Sequence, residues 1–151
     1  MKARIMALDV GTRRIGVAVS DDAQRMALPL ETVDARSPRR AAERIAELIA
    51  DYDVVVLVVG WPLEMSGREG RAVDRVRDLV EVLEDVLDEQ QIEQIEIRRW
   101  DERLTTSAAD RLLIDADVSR RRRKEAIDQV AASKILEGYL ASVDKGRGRD
   151  Q

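Results

Sequence analysis

The chain contains no cysteine and no histidine. The first absence excludes disulfides and thiolate catalysis. The two together remove the usual structural zinc ligands. Without histidine there is also no imidazole general base and no triad built on one. Chemistry must therefore rest on carboxylates, Lys, Arg, hydroxyls or a bound metal, and ligands made of oxygen alone favour Mg²⁺ or Mn²⁺ over softer ions. Long apolar runs are missing too. The longest, residues 54–59, falls far short of the roughly 20 residues a membrane span needs. A strand-like pattern begins at once after Met1, with no apolar signal-peptide region, so a cytoplasmic location is expected.

What is present describes a globular domain. The 151 residues are 44% hydrophobic and 37% charged, and a domain of this size buries enough surface to hold a core without staples. The net charge of −4 argues against a general nucleic-acid binder. The charge is segregated, however. An acidic stretch runs over residues 81–96, while basic clusters occupy 36–44, 68–77 and 120–124. Most of the basic residues are Arg, whose planar fork suits phosphate oxygens.

Periodicity predicts the order β-β-β-α-β-α-β-α-α. Residues 2–10 and 14–20 read as strands of a tight hairpin around Gly11-Thr12-Arg13. Residues 26–33 form a third strand, which Pro29 assigns to an edge or a bulge. Ser37-Pro38 starts a helix as N-cap and first helical residue. Residues 54–60, a β-branched run, form a strand buried on both faces. A loop over 61–70 leads to a helix reaching about Glu89, then a strand over 92–100. Thr105 or Thr106 caps a helix carrying Leu112 and Leu113, and a last helix spans about 122–141. One domain is expected over 1–142, with 143–151 a flexible, Gly- and charge-rich C-terminal tail.

Three carboxylates stand out from this pattern. Asp9 ends an apolar strand on the face of Ile5 and Ala7, where a carboxylate is costly unless hydrogen-bonded, hydrated or bound to a cation; the Gly11-Thr12 turn offers it a structural alternative. Asp128 heads the apolar stripe of the last helix, with Ala131, Ala132, Ile135 and Tyr139 at helical spacing. Glu102 follows the last strand. A surface ion pair with Arg103 would also explain it, and Asp101 competes for the ligand role. Carboxylates on three separate elements can converge on a hard-cation site, a chemistry that needs no histidine.

Four blocks resemble the YqgF/RuvX family: residues 7–21 (ALDVGTRRIGVAVSD), 59–67 (VGWPL followed by MSG), 100–106 (WDERLTT) and 127–140 (IDQVAA leading to IL and YL). They occur in the family's order and cover nearly the whole chain. Trp61 and Glu64 depart from the pattern. The resemblance implies an α/β ribonuclease H-like fold with a five-stranded mixed sheet in the order 3-2-1-4-5. It implies a metal-dependent nuclease (Mg²⁺ or Mn²⁺) acting on structured nucleic acid. The family's two roles are maturation of the 5′ end of precursor small-subunit (16S) ribosomal RNA and resolution of Holliday junctions. Its acidic triad falls on Asp9, Glu102 and Asp128, as catalytic residues and metal ligands. In the implied strand order Glu102 must lean back across one intervening strand, since its own strand lies roughly 10 Å from that of Asp9.

Candidate phosphate contacts are Thr12, Arg13 and Arg14 on the first hairpin, Arg103 beside Glu102, and Arg121, Arg122, Arg123 and Lys124 leading into the helix of Asp128. Trp61 either stacks on a base or, the favoured reading, packs on the helix that follows. Symmetrical cutting of a junction would require two active sites and hence a homodimer. Two other readings are an actin-like nucleotide-binding domain and a non-catalytic, RNA-binding ribosome-assembly factor. The first is disfavoured because a single domain cannot close over a nucleotide.

Overall fold

The computed structural model of the protein describes residues 3–104 and 120–149, with side chains described over 3–104 and 128–143. Five strands form one sheet: β1 (Arg4–Val10), β2 (Arg14–Ser20), β3 (Ala27–Asp34), β4 (Val54–Trp61) and β5 (Glu96–Asp101). Their order is β3-β2-β1-β4-β5, the mixed sheet that the resemblance implied. The first three strands pair antiparallel through short connections. β4 and β5 join parallel to β1 through helical crossovers, as parallel pairing requires. β3 lies at an edge, and its register with β2 slips between Val17 and Ala18. Pro29, which cannot donate to a ladder, sits at that slip.

Two helices cover one face. α1 (Pro38–Asp51) starts as its sequence predicts: Ser37 caps it by accepting from the Arg40 amide at 3.4 Å, with Pro38 in the first turn. α2 (Arg71–Glu89) buries Val73, Val76, Leu79, Leu83, Val86 and Leu87. Both pack against Met6, Leu8, Val10, Ile15, Val17, Leu57 and Val59 of the sheet. Trp61 is 5% exposed and joins this core, so it packs towards α2 as favoured above. The Arg99 guanidinium lies 4.0 Å from its ring centre and that of Arg77 lies 5.6 Å away.

One helix, α3 (Arg120–Arg149), lies across the opposite face. It buries Ala132, Ile135, Leu136, Tyr139 and Leu140 against Ile5, Ala7, Ala18 and Val58. Val143 still packs on this cluster, and the helix runs beyond the end near residue 141 that periodicity predicts. The expected helix with Leu112 and Leu113, and its Thr105 or Thr106 cap, lie outside the described residues. Among the described residues no helix is long and apolar enough to cross a membrane.

Candidate active site

The register of the sheet sets the site. Asp9 stands opposite Gly16 across the β1–β2 pair. On its other side Leu8 pairs with Val59, so the next pair along is Asp9 with Gly60. Asp9 is thus flanked on both neighbouring strands by residues with no side chain. Each gap is filled from outside the sheet. A Cβ on Gly16 would lie 1.9 Å from the carbonyl oxygen of Asp128, and one on Gly60 would lie 2.5 Å from Glu102 Oε1 and 2.8 Å from Ile135 Cδ1.

Glu102 opens a single 3-10 turn, Glu102–Leu104, directly after β5. One strand, β4, separates it from Asp9, and over Gly60 that strand has no side chain in the way. Glu102 crosses β4 there and hydrogen-bonds the Asp9 side chain. Burial first, and then the Asp9 carboxylate as hydrogen-bond partner and negative charge, push the Glu102 carboxyl well above the ordinary carboxylate range. Two carboxyls in contact cannot readily both ionise, which favours one proton held by the pair.

Asp101 faces elsewhere. It forms the ion pair with Arg103 that was the alternative account of Glu102: Arg103 Nη2 lies 2.7 Å from Asp101 Oδ2, and the Arg103 amide also donates to Asp101 at 3.0 Å. These bonds hold the Asp101 carboxyl below its usual range. Arg103 Nη1 also reaches the Met65 carbonyl at 3.5 Å, linking the turn to the loop before α2.

Asp128 reaches the site by a different route. Its backbone rests on Gly16, and its Oδ2 accepts from Arg14 Nε at 2.9 Å. Next to it Gln129 Nε2 donates to Thr32 Oγ1 at 3.1 Å. The structure therefore brings Asp9 and Glu102 into contact and turns Asp128 towards Arg14. Among the described residues no three acidic side chains are gathered as a metal cage. Thr12 and Arg13 are exposed on the hairpin turn, where the Arg13 carbonyl accepts from the Ala35 amide at 2.8 Å. Arg121, Arg122, Arg123 and Lys124 lie in the first turns of α3, and their side chains fall outside the described residues.

The donor set suits a hard divalent cation: oxygens only, with two carboxyls so close that a proton now neutralises one of them. A cation binding there would take that proton's place. Sequence reasoning passed over Gly16 and Gly60, although the signal was available. Glycine inside a strand weakens it and marks a place where another backbone or group comes close.

The sheet is of the ribonuclease H-like fold, with acidic groups in contact at the end of its first strand. The model of the RuvX family, described as Holliday junction resolvase, matches residues 3–142, and the chain belongs to that family. It is 44% identical over 145 residues to a protein of Halothermothrix orenii named "Putative pre-16S rRNA nuclease", covering 96% of this chain and 99% of that one. A Bacillus thuringiensis protein of the same name is 45% identical over 141 residues, covering 92% and 98%. Among solved structures, Thermus thermophilus RuvC in complex with a Holliday junction aligns with a TM-score of 0.58 at 11% identity, covering 94% of this chain and 96% of that one. The yeast mitochondrial resolvase Ydc2 aligns at 0.55 and 11%, covering 92% and 78%.

Proposed function

We propose that the chain processes the 5′ end of precursor 16S ribosomal RNA in ribosome biogenesis, with Asp9, Glu102 and Asp128 holding Mg²⁺ or Mn²⁺. The observation that carries this reading is the Asp9–Glu102 pair, two carboxyls pressed together over Gly60. Both carboxyls can be charged together only with a counter-charge beside them, and a divalent cation that displaces the shared proton supplies it. When bound, the cation would supply Lewis-acid stabilisation of charge building on the phosphate. The chain's own groups do the rest. Asp9 and Asp128 are carried by a strand and a helix packed against each other, so their backbones are fixed before substrate arrives. Thr12, Arg13 and Arg14, with Arg103 and the run from Arg121 to Lys124, would hold backbone phosphates beside the acids. Contacts of this kind read phosphate rather than base, which suits a structured substrate. The names of the relatives favour ribosomal RNA as that substrate, and work on a ribosome precursor places the enzyme in the cytoplasm.

The family description favours a second substrate, a four-way DNA junction. Cutting it symmetrically would take two copies of this site and hence a homodimer. One experiment decides among these readings. The protein is incubated with labelled precursor ribosomal RNA, a four-way junction and plain duplex, each with Mg²⁺, Mn²⁺ or chelator, beside Asp9→Asn and Asp128→Asn variants. Metal-dependent cutting of the RNA, falling by roughly 10³-fold or more in both variants, is the expected result. Preferential cutting of the junction would move the assignment to recombination. If nothing is cut while the variants bind as tightly as the parent, the protein is an RNA-binding assembly factor.

A further inference from the structure

We propose that Arg14 is a displaceable counter-ion for Asp128: it occupies the carboxylate in the metal-free protein, and releases it to the cation while taking up a substrate phosphate. The proposal rests on the metal-dependent reading above and adds to it an order of events.

The geometry separates what can move from what cannot. The Asp128 carbonyl sits on Gly16, and the residues that follow it along α3, Ala132, Ile135 and Leu136, are buried against the sheet. The backbone at Asp128 is therefore pinned, so any exchange of partners by its carboxylate must come from the side-chain torsions. Gly16 is the direct partner of Asp9, at roughly 5 Å between Cα atoms in an antiparallel pair. Arg14 lies two residues before Gly16 on β2, so it projects from the same face. A rotation about the side-chain bonds of Asp128 thus carries the carboxylate from Arg14 towards Asp9 with no movement of the helix. The ion pair it leaves is only partly open to water, with the Arg14 side chain 34% exposed and that of Asp128 24% exposed. A pair so far buried gives up its contact only where each charge finds a new partner.

The released guanidinium has an obvious use. Arg14 directly follows the exposed turn of Thr12 and Arg13, where an approaching nucleic-acid backbone would meet the protein first. A guanidinium binds phosphate through two parallel N–H bonds. The exchange is balanced in charge: the carboxylate trades a guanidinium for a metal, and the guanidinium trades a carboxylate for a phosphate. Neither is left uncompensated in the partly buried site.

The test is a calorimetric Mn²⁺ titration of the nucleic-acid-free protein, comparing the parent with R14Q, R14K, R13Q, D128N and R14Q/D128N. If Arg14 competes for Asp128, R14Q binds Mn²⁺ tighter by roughly fivefold. R14K stays near the parent, R13Q changes little, and the gain vanishes when Asp128 is already Asn. The double variant isolates the pair from a general change of field. With Mn²⁺ bound, R14Q should also weaken RNA and junction binding and lower the slope of log K against log salt by about one, an effect that shrinks in chelator, where Asp128 still holds the guanidinium. Equal or weaker Mn²⁺ binding by R14Q overturns the proposal, because Arg14 would then position Asp128 rather than compete for it. So does a gain that persists in R14Q/D128N, or a salt slope that does not change. A parent that binds no Mn²⁺ at all brings down the metal reading itself, and this proposal with it.

Discussion

The two faces of the sheet are built from residues of different size. Towards α1 and α2 the strands present Met6, Leu8, Val10, Ile15, Val17, Leu57 and Val59. Towards α3 the central strands present Ile5 and Val58 but otherwise Ala7, Asp9, Gly16, Ala18 and Gly60. Bulk on the first face fills the space beneath two helices and holds the fold. Small residues on the second let one helix approach so closely that its backbone touches a strand, and they leave a gap for a carboxyl to cross. Stability and chemistry are thus assigned to opposite sides of the same five strands. The assignment is testable, because changes on one side should leave the property of the other intact.

The largest effect belongs to the first face. Leu8 is fully buried there, and Leu8→Ala should cost about 2–5 kcal/mol of stability, through lost transfer energy and the cavity left behind. The loss is read from the denaturant midpoint. Turnover per folded molecule should stay close to the parent's. A fall in turnover much larger than the unfolded fraction explains would break the division between the faces.

Gly60→Ala should do the reverse. Its new Cβ would meet only the ends of two side chains, Glu102 Oε1 at 2.5 Å and Ile135 Cδ1 at 2.8 Å. Glu102 can turn aside, whereas Ile135 is packed in the core, so the methyl group costs some stability while it pushes Glu102 off Asp9. A misplacement of about 1 Å at a reacting centre can cost about 10²-fold, and cleavage should fall by that order while stability falls less than in Leu8→Ala. Gly16→Ala has no such escape, because its Cβ would meet the Asp128 carbonyl at 1.9 Å; there stability and activity should fall together. If Gly60→Ala cleaves like the parent, Glu102 does not act from its place over β4.

The same contrast explains what was legible in the sequence. An apolar run located β1 and alternation β2, the Ser37-Pro38 pair located the start of α1, and Pro29 marked its strand as an edge or bulge. All of these are local signals, carried by residues close together in the chain. The acids were legible one by one, since each interrupts an apolar pattern or follows one. Their contacts were not. That Glu102 reaches Asp9 depends on the register that sets Gly60 between them, a relation among three strands distant in sequence. The pairing of Asp128 with Arg14 spans 114 residues and leaves no trace in spacing. Asp101 and Glu102 stayed alternatives for the same reason: adjacent residues on a turn point apart, and only the fold decides which one faces the sheet.

The smallest of the three effects is a pH dependence confined to the second face. Burial and the neighbouring Asp9 hold the Glu102 carboxyl well above its ordinary value of 4.5. The folded protein therefore binds a proton that the unfolded chain releases, from that value up to the raised one. Stability falls with pH wherever the native state holds more protons, at most about 1.4 kcal/mol per pH unit for one group. In chelator the Glu102 contribution should be whole below pH 4.5 and decline steadily above it. Carboxyls held below their ordinary value, such as Asp101 and Glu31, act in the opposite sense and at lower pH, so the two windows separate. Glu102→Gln keeps a donor towards Asp9 and loses the titration. Denaturant titrations at pH 5.5, 6.5 and 7.5 should then show the parent losing ground to Glu102→Gln as pH rises, whereas Leu8→Ala, on the other face, keeps the slope of the parent. A difference between parent and Glu102→Gln that stays flat with pH would mean that Glu102 is already ionised, and that the two carboxyls share no proton.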